Sequence, residues 1–257
     1  MRHQTPAKIA ASLERSATVP DGESERFVGY GVMAAPFSSG EVLAMRRFPA
    51  SSLGGGYTTV WHRTRRGEWT IYSDRDPMQA CPRYFGSALA HAIETPISVS
   101  WPAPDVMEIE VPLVALTWTV QLEETATTRM LNAVGRSMTD RMWQRPRILA
   151  LVAAMASRFL HAGRLGLAGQ APNGQTFIAN PMNVWLIRSS HAMLAERDLG
   201  TLAPLPEQTR LGDFWIPQRG LFAFGRAFFE PLDVTRHRVV SQAPPEAPVE
   251  ATPPVHA

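Results

Sequence analysis

Leu113–Glu123 reads LVALTWTVQLE. Val114, Leu116, Trp118, Val120 and Leu122 alternate there with Ala115, Thr117, Thr119, Gln121 and Glu123. Successive side chains of a strand point to opposite sides, so this period of two predicts a β-strand with one face buried and one wet. That pattern belongs to an antiparallel sheet packed on one side. On its N-terminal side, strand signals recur at Ile97–Trp101 and Val106–Val111. Earlier still they recur at Phe27–Ala34, Glu41–Phe48, Tyr57–His62 and Glu68–Ser73. The last two flank Thr64-Arg65-Arg66-Gly67, a loop with glycine where positive φ costs little, and so read as a hairpin. Alternation in EWTIYSD sets Trp69 and Ile71 on one face and Thr70, Tyr72 and Asp74 on the other.

Toward the C-terminus the period changes. Thr127–Ala162 is helical in character. Ser137, Thr139 or Asp140 can cap a short helix, and Pro146 suits the first turn of a second one running to Ala162 and ended by Gly163. Ile148, Leu151, Val152, Met155, Phe159 and Leu160 recur at spacings of three and four, as an apolar stripe requires. Strands return at Arg164–Gly169 and Gln175–Ala179 around an Asn173-Gly174 turn, then at Asn183–Ser189. Leu199–Asp213 reads as a loop, followed by closing strands at Phe214–Ile216 and Leu221–Glu230. Strands, helices, strands without regular alternation exclude a doubly wound α/β fold. The expected class is mainly β: an antiparallel barrel, or two partial barrels, with a helical insertion. The expected organisation is a disordered segment over 1–26, a first β half over 27–126, the helical insertion over 127–163 and a second β half over 164–241. A Pro-rich tail over 242–257 is too poor in large apolar side chains to order itself.

Composition narrows the function classes. The 257 residues carry a formal charge of only +2, too little to imply nucleic acid. Lys8 is the one lysine, so the positive charge is nearly all arginine. Cys81 is the one cysteine, so no disulfide can form within the chain. The longest apolar run, Ile148–Ala156, is about half the length of a membrane span. Met1–Pro20 holds no apolar stretch of signal-peptide length, and a cytoplasmic protein is expected. Phosphate-binding P-loop, HExxH, CxxC, EF-hand, dinucleotide and GxSxG patterns are all missing, so no metal and no cofactor is expected.

Five groups of residues remain as candidates. His62 on one arm of the hairpin, with Tyr72 and Asp74 on the other, can place a titratable imidazole beside a phenol and a carboxylate. The same residues also suit the solvent face of a hairpin. Cys81, in the irregular SDRDPMQACPRYFG, is a nucleophile only if its pKa is lowered, and otherwise a buried thiol. Glu207 and Asp213, in LPEQTRLGDFWIPQR, can act as acid and base if desolvated at a barrel mouth. Trp61, Trp118, Trp185, Trp215, Phe222 and Phe224 can line an apolar cavity or fill a core. Finally, the insertion carries Arg129, Arg136, Arg141, Arg145, Arg147 and Arg158 against Asp140 alone. An apolar stripe flanked by arginines suits an anionic membrane surface, and equally a helix packed on the sheet.

Gly163–Gly169 (GRLGLAG) followed by Asn173-Gly174-Gln175-Thr176-Phe177 resembles a strand-turn pattern of the double lipocalin-like proteins, which include the carotenoid hydratases and the AttH-type proteins. The resemblance implies a lipocalin-like barrel around an apolar, terpenoid-like ligand. The tryptophan and acid that the family pattern has after the second glycine are replaced here by Phe177-Ile178-Ala179-Asn180, so it carries over no catalytic residue. The expected function is therefore binding of a hydrophobic small molecule, with hydration, isomerisation or cyclisation by acid–base groups among His62, Tyr72, Asp74, Glu207 and Asp213. The alternative is a non-enzymatic carrier that meets anionic membrane through its arginine-rich helices. Oligomeric state is open.

Overall fold

The strand expected over Leu113–Glu123 starts later, at Leu116. Pro112–Val114 form a single tight turn, and Ala115 adopts a left-handed backbone at φ 48°, which turns the chain into the strand. Leu116, Trp118, Val120 and Leu122 are then all buried on one side, as the alternation requires. A computed structural model describes residues 4–238. The Pro-rich segment 242–257 lies outside the described residues.

In chain order the elements are α1 (Pro6–Ser16), β1 (Glu25–Pro36), β2 (Val42–Ser51), β3 (Gly54–Arg63), β4 (Trp69–Ser73), α2 (Pro82–Phe85), β5 (His91–Glu94), β6 (Ser98–Ala103), β7 (Val106–Val111) and β8 (Leu116–Glu123). The helical layer follows as α3 (Ala126–Ser137), α4 (Asp140–Trp143) and α5 (Pro146–Leu160). The chain then continues through β9 (Ala168–Gln170), β10 (Thr176–Leu194), β11 (Arg197–Asp198), β12 (Arg210–Leu211), β13 (Phe214–Trp215) and β14 (Leu221–Phe229). Twelve strands form one sheet in the order β5-β4-β3-β2-β1-β14-β10-β8-β7-β6, with β9 and β11 beside β10.

Three expectations are corrected by this topology. The sheet is a single curled one and not two partial barrels, because β1 of the N-terminal half pairs along its length with β14 of the C-terminal half. Its ends, β5 and β6, are not paired to each other. It is not wholly antiparallel, since β4 and β5 run parallel. Curling is evident in the packing. Ile93 of β5 and Val99 and Trp101 of β6 pack against the same inner cluster as Tyr30, Val60, Tyr72, Trp118 and Phe222.

Residues 6–16, expected to lack regular structure, form α1. Pro6 opens the helix, where its missing N–H costs nothing. Ala10 is fully buried, and Ile9 and Leu13 pack on the inner cluster. Glu14 accepts from Arg47 Nη2 at 2.7 Å and from the Tyr30 hydroxyl at 2.9 Å, pinning the helix to the sheet.

The outer face of β1–β4 is covered as well, by a second cluster in which Phe27, Trp61, Trp69 and Ile71 meet Tyr84 and Phe85 of α2. Both faces of β4 are therefore buried, and Tyr72 points into the core instead of into solvent. At the start of β1 the buried Glu25 carboxylate binds this cover down. It accepts from Arg83 Nη2 at 2.6 Å and Nε at 3.2 Å, from the Tyr84 hydroxyl, from Gln175 Nε2 at 3.3 Å and from the Leu232 amide at 3.3 Å. The Asn173-Gly174 turn is present as expected, with Gly174 at φ +99°, and it delivers Gln175 to this carboxylate.

The helical insertion covers the outer face near β10 and β14. Where β8 ends at Glu123, Thr125 caps α3 with a reciprocal bond to Thr128. Asn132 then takes over from the missing strand: its Nδ2 donates to Val184 O at 3.0 Å and its Oδ1 accepts from Val184 N at 2.7 Å. The stripe expected on α5 is only partly buried. Of it only Leu160 is buried, Ile148, Val152 and Met155 are half-buried, and Leu151 and Phe159 are 61% and 48% exposed; the other buried positions of the helix are Leu149 and Ala153, outside the stripe. The helix lies over a cleft and not flat on the sheet. No helix among the described residues is long and apolar enough to cross a membrane.

Two outcomes follow from these anchors. Asn132→Leu strands the amide and carbonyl of Val184, and the expected loss is about 2–4 kcal/mol of unfolding free energy in urea. At Glu25, burial pushes the carboxyl up, but the donors from Arg83, Tyr84 and Gln175 and the Arg83 charge outweigh it and hold the pKa below its ordinary value of 4.5. The stabilisation is thus present above the ordinary value and is lost as pH falls through the lower, folded one. Glu25→Gln should lower the melting temperature at neutral pH and flatten its further decline in acid; an unchanged acid slope would exclude this carboxylate as a contributor.

Candidate functional site

Inside the curl the expected tryptophans Trp118 and Trp185 are packed among other side chains. Trp118 is buried in the inner cluster with its Nε1 donating to Ser190 Oγ at 2.8 Å, and Trp185 packs edge-on against Phe224 at 5.5 Å. The larger cavity is outside, between the sheet and the helical insertion. It is an open cleft of about 190 Å³. Its floor is made by Gly29, Ala179, Ala223 and Gly225, its roof by Leu131, Trp143, Val152 and Met155, and one end by Arg46, Phe214 and Trp215.

The floor is flat for a reason readable in the backbone. Gly29 of β1 and Gly225 of β14 are register partners. A Cβ on Gly29 would lie 2.0 Å from Arg47 O, and one on Gly225 would lie 2.2 Å from Asn180 O. Gly29 thus lies too close to β2, and Gly225 too close to β10, for any side chain, and the two bare positions keep the floor flat.

Two polar atoms in the wall have no protein partner, the buried Asn180 Oδ1 and Trp143 Nε1. Buried polar atoms are nearly always hydrogen-bonded, so these two are unmet groups beside the cleft, as Trp101 Nε1 is elsewhere in the fold. Arg226 closes the rim by donating to Asp140 Oδ1 at 3.2 Å, which ties α4 to β14.

Beyond Arg46, Phe48 and Phe214 a smaller cavity of about 60 Å³ continues among Tyr57, Trp61, Cys81 and Tyr84. Arg46 stands between the two. The β1–β2 ladder is irregular between Tyr30 and Ala35, and the Arg46 guanidinium fills the gap. It donates to Val32 O, to Met33 O at 3.1 Å and to Met45 O at 2.9 Å, and it lies 5.2 Å from the Trp61 ring and 5.7 Å from Phe214. Burial pulls its pKa down to about 10, so it stays charged near neutrality. Cys81 is buried beside it, accepting from Thr59 Oγ1 at 3.5 Å. Burial raises the thiol's pKa, the opposite of what an activated nucleophile needs.

The five residues expected to do acid–base chemistry are not brought together. His62 pairs across the hairpin with Thr70, and Tyr72 with Val60, because the hairpin loop runs from Thr64 to Glu68 before Trp69 pairs with Arg63. His62 is buried against Glu41 at 3.0 Å, and Glu41 is also bound by Arg197 at 2.7 Å. Tyr72 sits in the inner core, where burial raises its pKa. Asp74 Oδ1 accepts from Thr58 N at 2.7 Å and finishes the β3–β4 ladder. Glu207 is exposed. Asp213 accepts from Gln170 N at 2.9 Å and faces Arg210 at 3.6 Å. Among the described residues, no two of the five share a hydrogen bond or ion pair, and none lines either cavity.

The expected ligand-binding aromatics divide. Trp215, Phe222 and Phe224 border the larger cleft and Trp61 the smaller, while Trp118 and Trp185 belong to the inner core. Trp215 is held at the surface between the guanidinium groups of Arg164 and Arg210, 5.0 and 5.3 Å away. Sequence reasoning missed Arg46, Trp143 and Asn180. Each leaves a faint signal, a polar or bulky residue at a position where the local period asks for a buried apolar one.

No protein-family model matches the sequence, and no curated protein matches it. Among solved structures, the acetoacetate decarboxylase of Legionella pneumophila is similar with a TM-score of 0.37 and 10% identity, covering 88% of this chain and 90% of that one. A second acetoacetate decarboxylase structure gives a TM-score of 0.37 and 12% identity over 93% and 98% of the two chains. Likeness at this level assigns neither a fold nor an activity.

Proposed function

We propose that the protein binds an apolar small molecule in the cleft between its sheet and its helical insertion. The observation that carries this reading is a cleft of about 190 Å³ with an apolar wall and two unpartnered polar atoms, Asn180 Oδ1 and Trp143 Nε1. Pockets for small molecules have this composition, a mostly apolar lining with few placed polar groups. The lipocalin-like resemblance points the same way, toward a hydrophobic ligand; a terpenoid is one such body. Binding without chemistry suits the site better than catalysis, because His62, Tyr72, Asp74, Glu207 and Asp213 all lie away from it. Covalent amine chemistry has no candidate in the wall either, since Lys8, the one lysine, is exposed on α1.

A second reading has its own observation. The helical layer exposes Met142, Leu151 and Phe159 at 37%, 61% and 48%, among six exposed arginines. Apolar side chains ringed by arginine suit the headgroup region of an anionic bilayer, which would make the protein a carrier loading its ligand from a membrane.

Nile red, a neutral apolar dye, should bind the protein with a rise in fluorescence, and Val152→Trp, which fills the cleft from its roof, should weaken it roughly tenfold or more with the fold retained. Equal binding by the variant would remove the cleft as the site. For the second reading, the protein should sediment with phosphatidylglycerol vesicles and not with phosphatidylcholine, be released by added salt, and lose binding when Arg141, Arg145 and Arg147 are neutralised. Equal association with both lipids would sink it.

A further inference from the structure

Arg46 is the one arginine of the buried class among the described residues. Arg47, Arg83, Arg197 and Arg226 pair with Glu14, Glu25, Glu41 and Asp140, whereas Arg26 and Arg63, which also lack a carboxylate, are only half-buried. Arg46 has none. Its partners are three backbone carbonyls, two aromatic faces, and the neutral Cys81 and Tyr57 nearby. A buried charge without a counter-charge is costly, and proteins rarely keep one without use. Gap-filling alone does not account for it, because the carbonyls of Val32, Met33 and Met45 need donors and not a cation.

A guanidinium has five N–H donors. Three go to the carbonyls, which leaves two on a side chain that lines both cavities. Two donors of one planar group match the two oxygens of a carboxylate. The neighbouring wall is apolar on both sides, formed by Phe48, Ala179, Phe214 and Ala227, which border both cavities as Arg46 does. One positive charge in such a setting balances a monoanion; a dianionic phosphate ester would bring an uncompensated charge of its own.

Resting on the binding reading above, we infer that the ligand is a monoanionic amphiphile whose carboxylate is held by Arg46 at the junction of the two cavities, with its apolar body in the larger cleft. Arg46 then serves the head of the ligand, and the apolar wall of the larger cleft its body. The orphan guanidinium is compensated only in the complex.

The test compares two probes with the same chain, dodecanoate and dodecan-1-ol, each below its aggregation concentration, by the fluorescence of the cavity tryptophans in the whole protein at neutral pH. Dodecanoate should bind roughly tenfold or more tightly than the alcohol. Arg46→Met should abolish that preference and leave alcohol binding in place. Arg46→Lys, which keeps the charge and serves if the methionine variant does not fold, should weaken dodecanoate more than dodecan-1-ol, because lysine lacks the forked donor pair. Equal binding of acid and alcohol by the native protein overturns the anionic head but leaves the apolar cleft standing. Binding of neither overturns both. A preference for the acid that survives in Arg46→Met, or a loss in Arg46→Lys that is equal for both probes, overturns Arg46 as the anchor.

Discussion

Everything in this molecule depends on the seam where β1 meets β14. Glu25 pairs with Phe229 at one end and Ala34 with Leu221 at the other, so the first and last long strands lie side by side at the middle of the sheet. Gly29 and Gly225 face each other across that seam, and their backbones are hemmed in by Arg47 O and Asn180 O. The sheet of twelve strands curls so that β5 and β6 share one core. The two glycines leave the outer surface bare just where the helical insertion passes over. A constraint on strand packing and the floor of the cleft are one and the same feature.

The helical insertion is attached at few points. Asn132 replaces a strand edge for Val184, Arg226 holds Asp140, and Leu160 packs with Leu186 and Leu221. α3 lies directly on β10, where Gly135 comes against Met182 O, whereas α4 and α5 stand over the cleft. The polar contacts at the margins frame an apolar middle, which is the wall of the cleft. The Glu25 cluster on the other side of the seam has the opposite character, with one carboxylate taking donors from residues as far apart as Arg83, Gln175 and Leu232.

Much of the fold was legible. The alternation in Leu116–Glu123, the Asn173-Gly174 turn, the strand pair before Ser73 and the helical run after Thr125 all follow from local periodicity and turn chemistry. What was not legible is non-local. Nothing in ERFVGYGV says that its partner is LFAFGRAFF, so one sheet was indistinguishable from two halves. Tyr72 was placed on an acid–base rim or a solvent face, because alternation reports which residues share a face, and not whether both faces are covered. The site was hardly legible at all. Its aromatics were partly named, but Arg46 sits in AMRRF beside the exposed-looking Arg47, and only the third dimension separates a cation bound to Glu14 from one bound to backbone. Acid–base residues were sought on loops and hairpins, whereas the cleft is walled by helix undersides and a glycine floor.

The position of β14 has a consequence for how the chain is made. It is the last long strand to leave the ribosome, yet it occupies the centre of the sheet, between β1 and β10. Until it arrives, β1 and β10 each present a long open edge, and both are rich in aromatic and aliphatic side chains. Such edges recruit other strands, including those of neighbouring nascent chains. The N-terminal five strands and the later hairpins can form during synthesis, but they wait as two unjoined sheets for one closing segment. Sensitivity to any change that shortens Leu221–Phe229 is built into the order in which the strands are written.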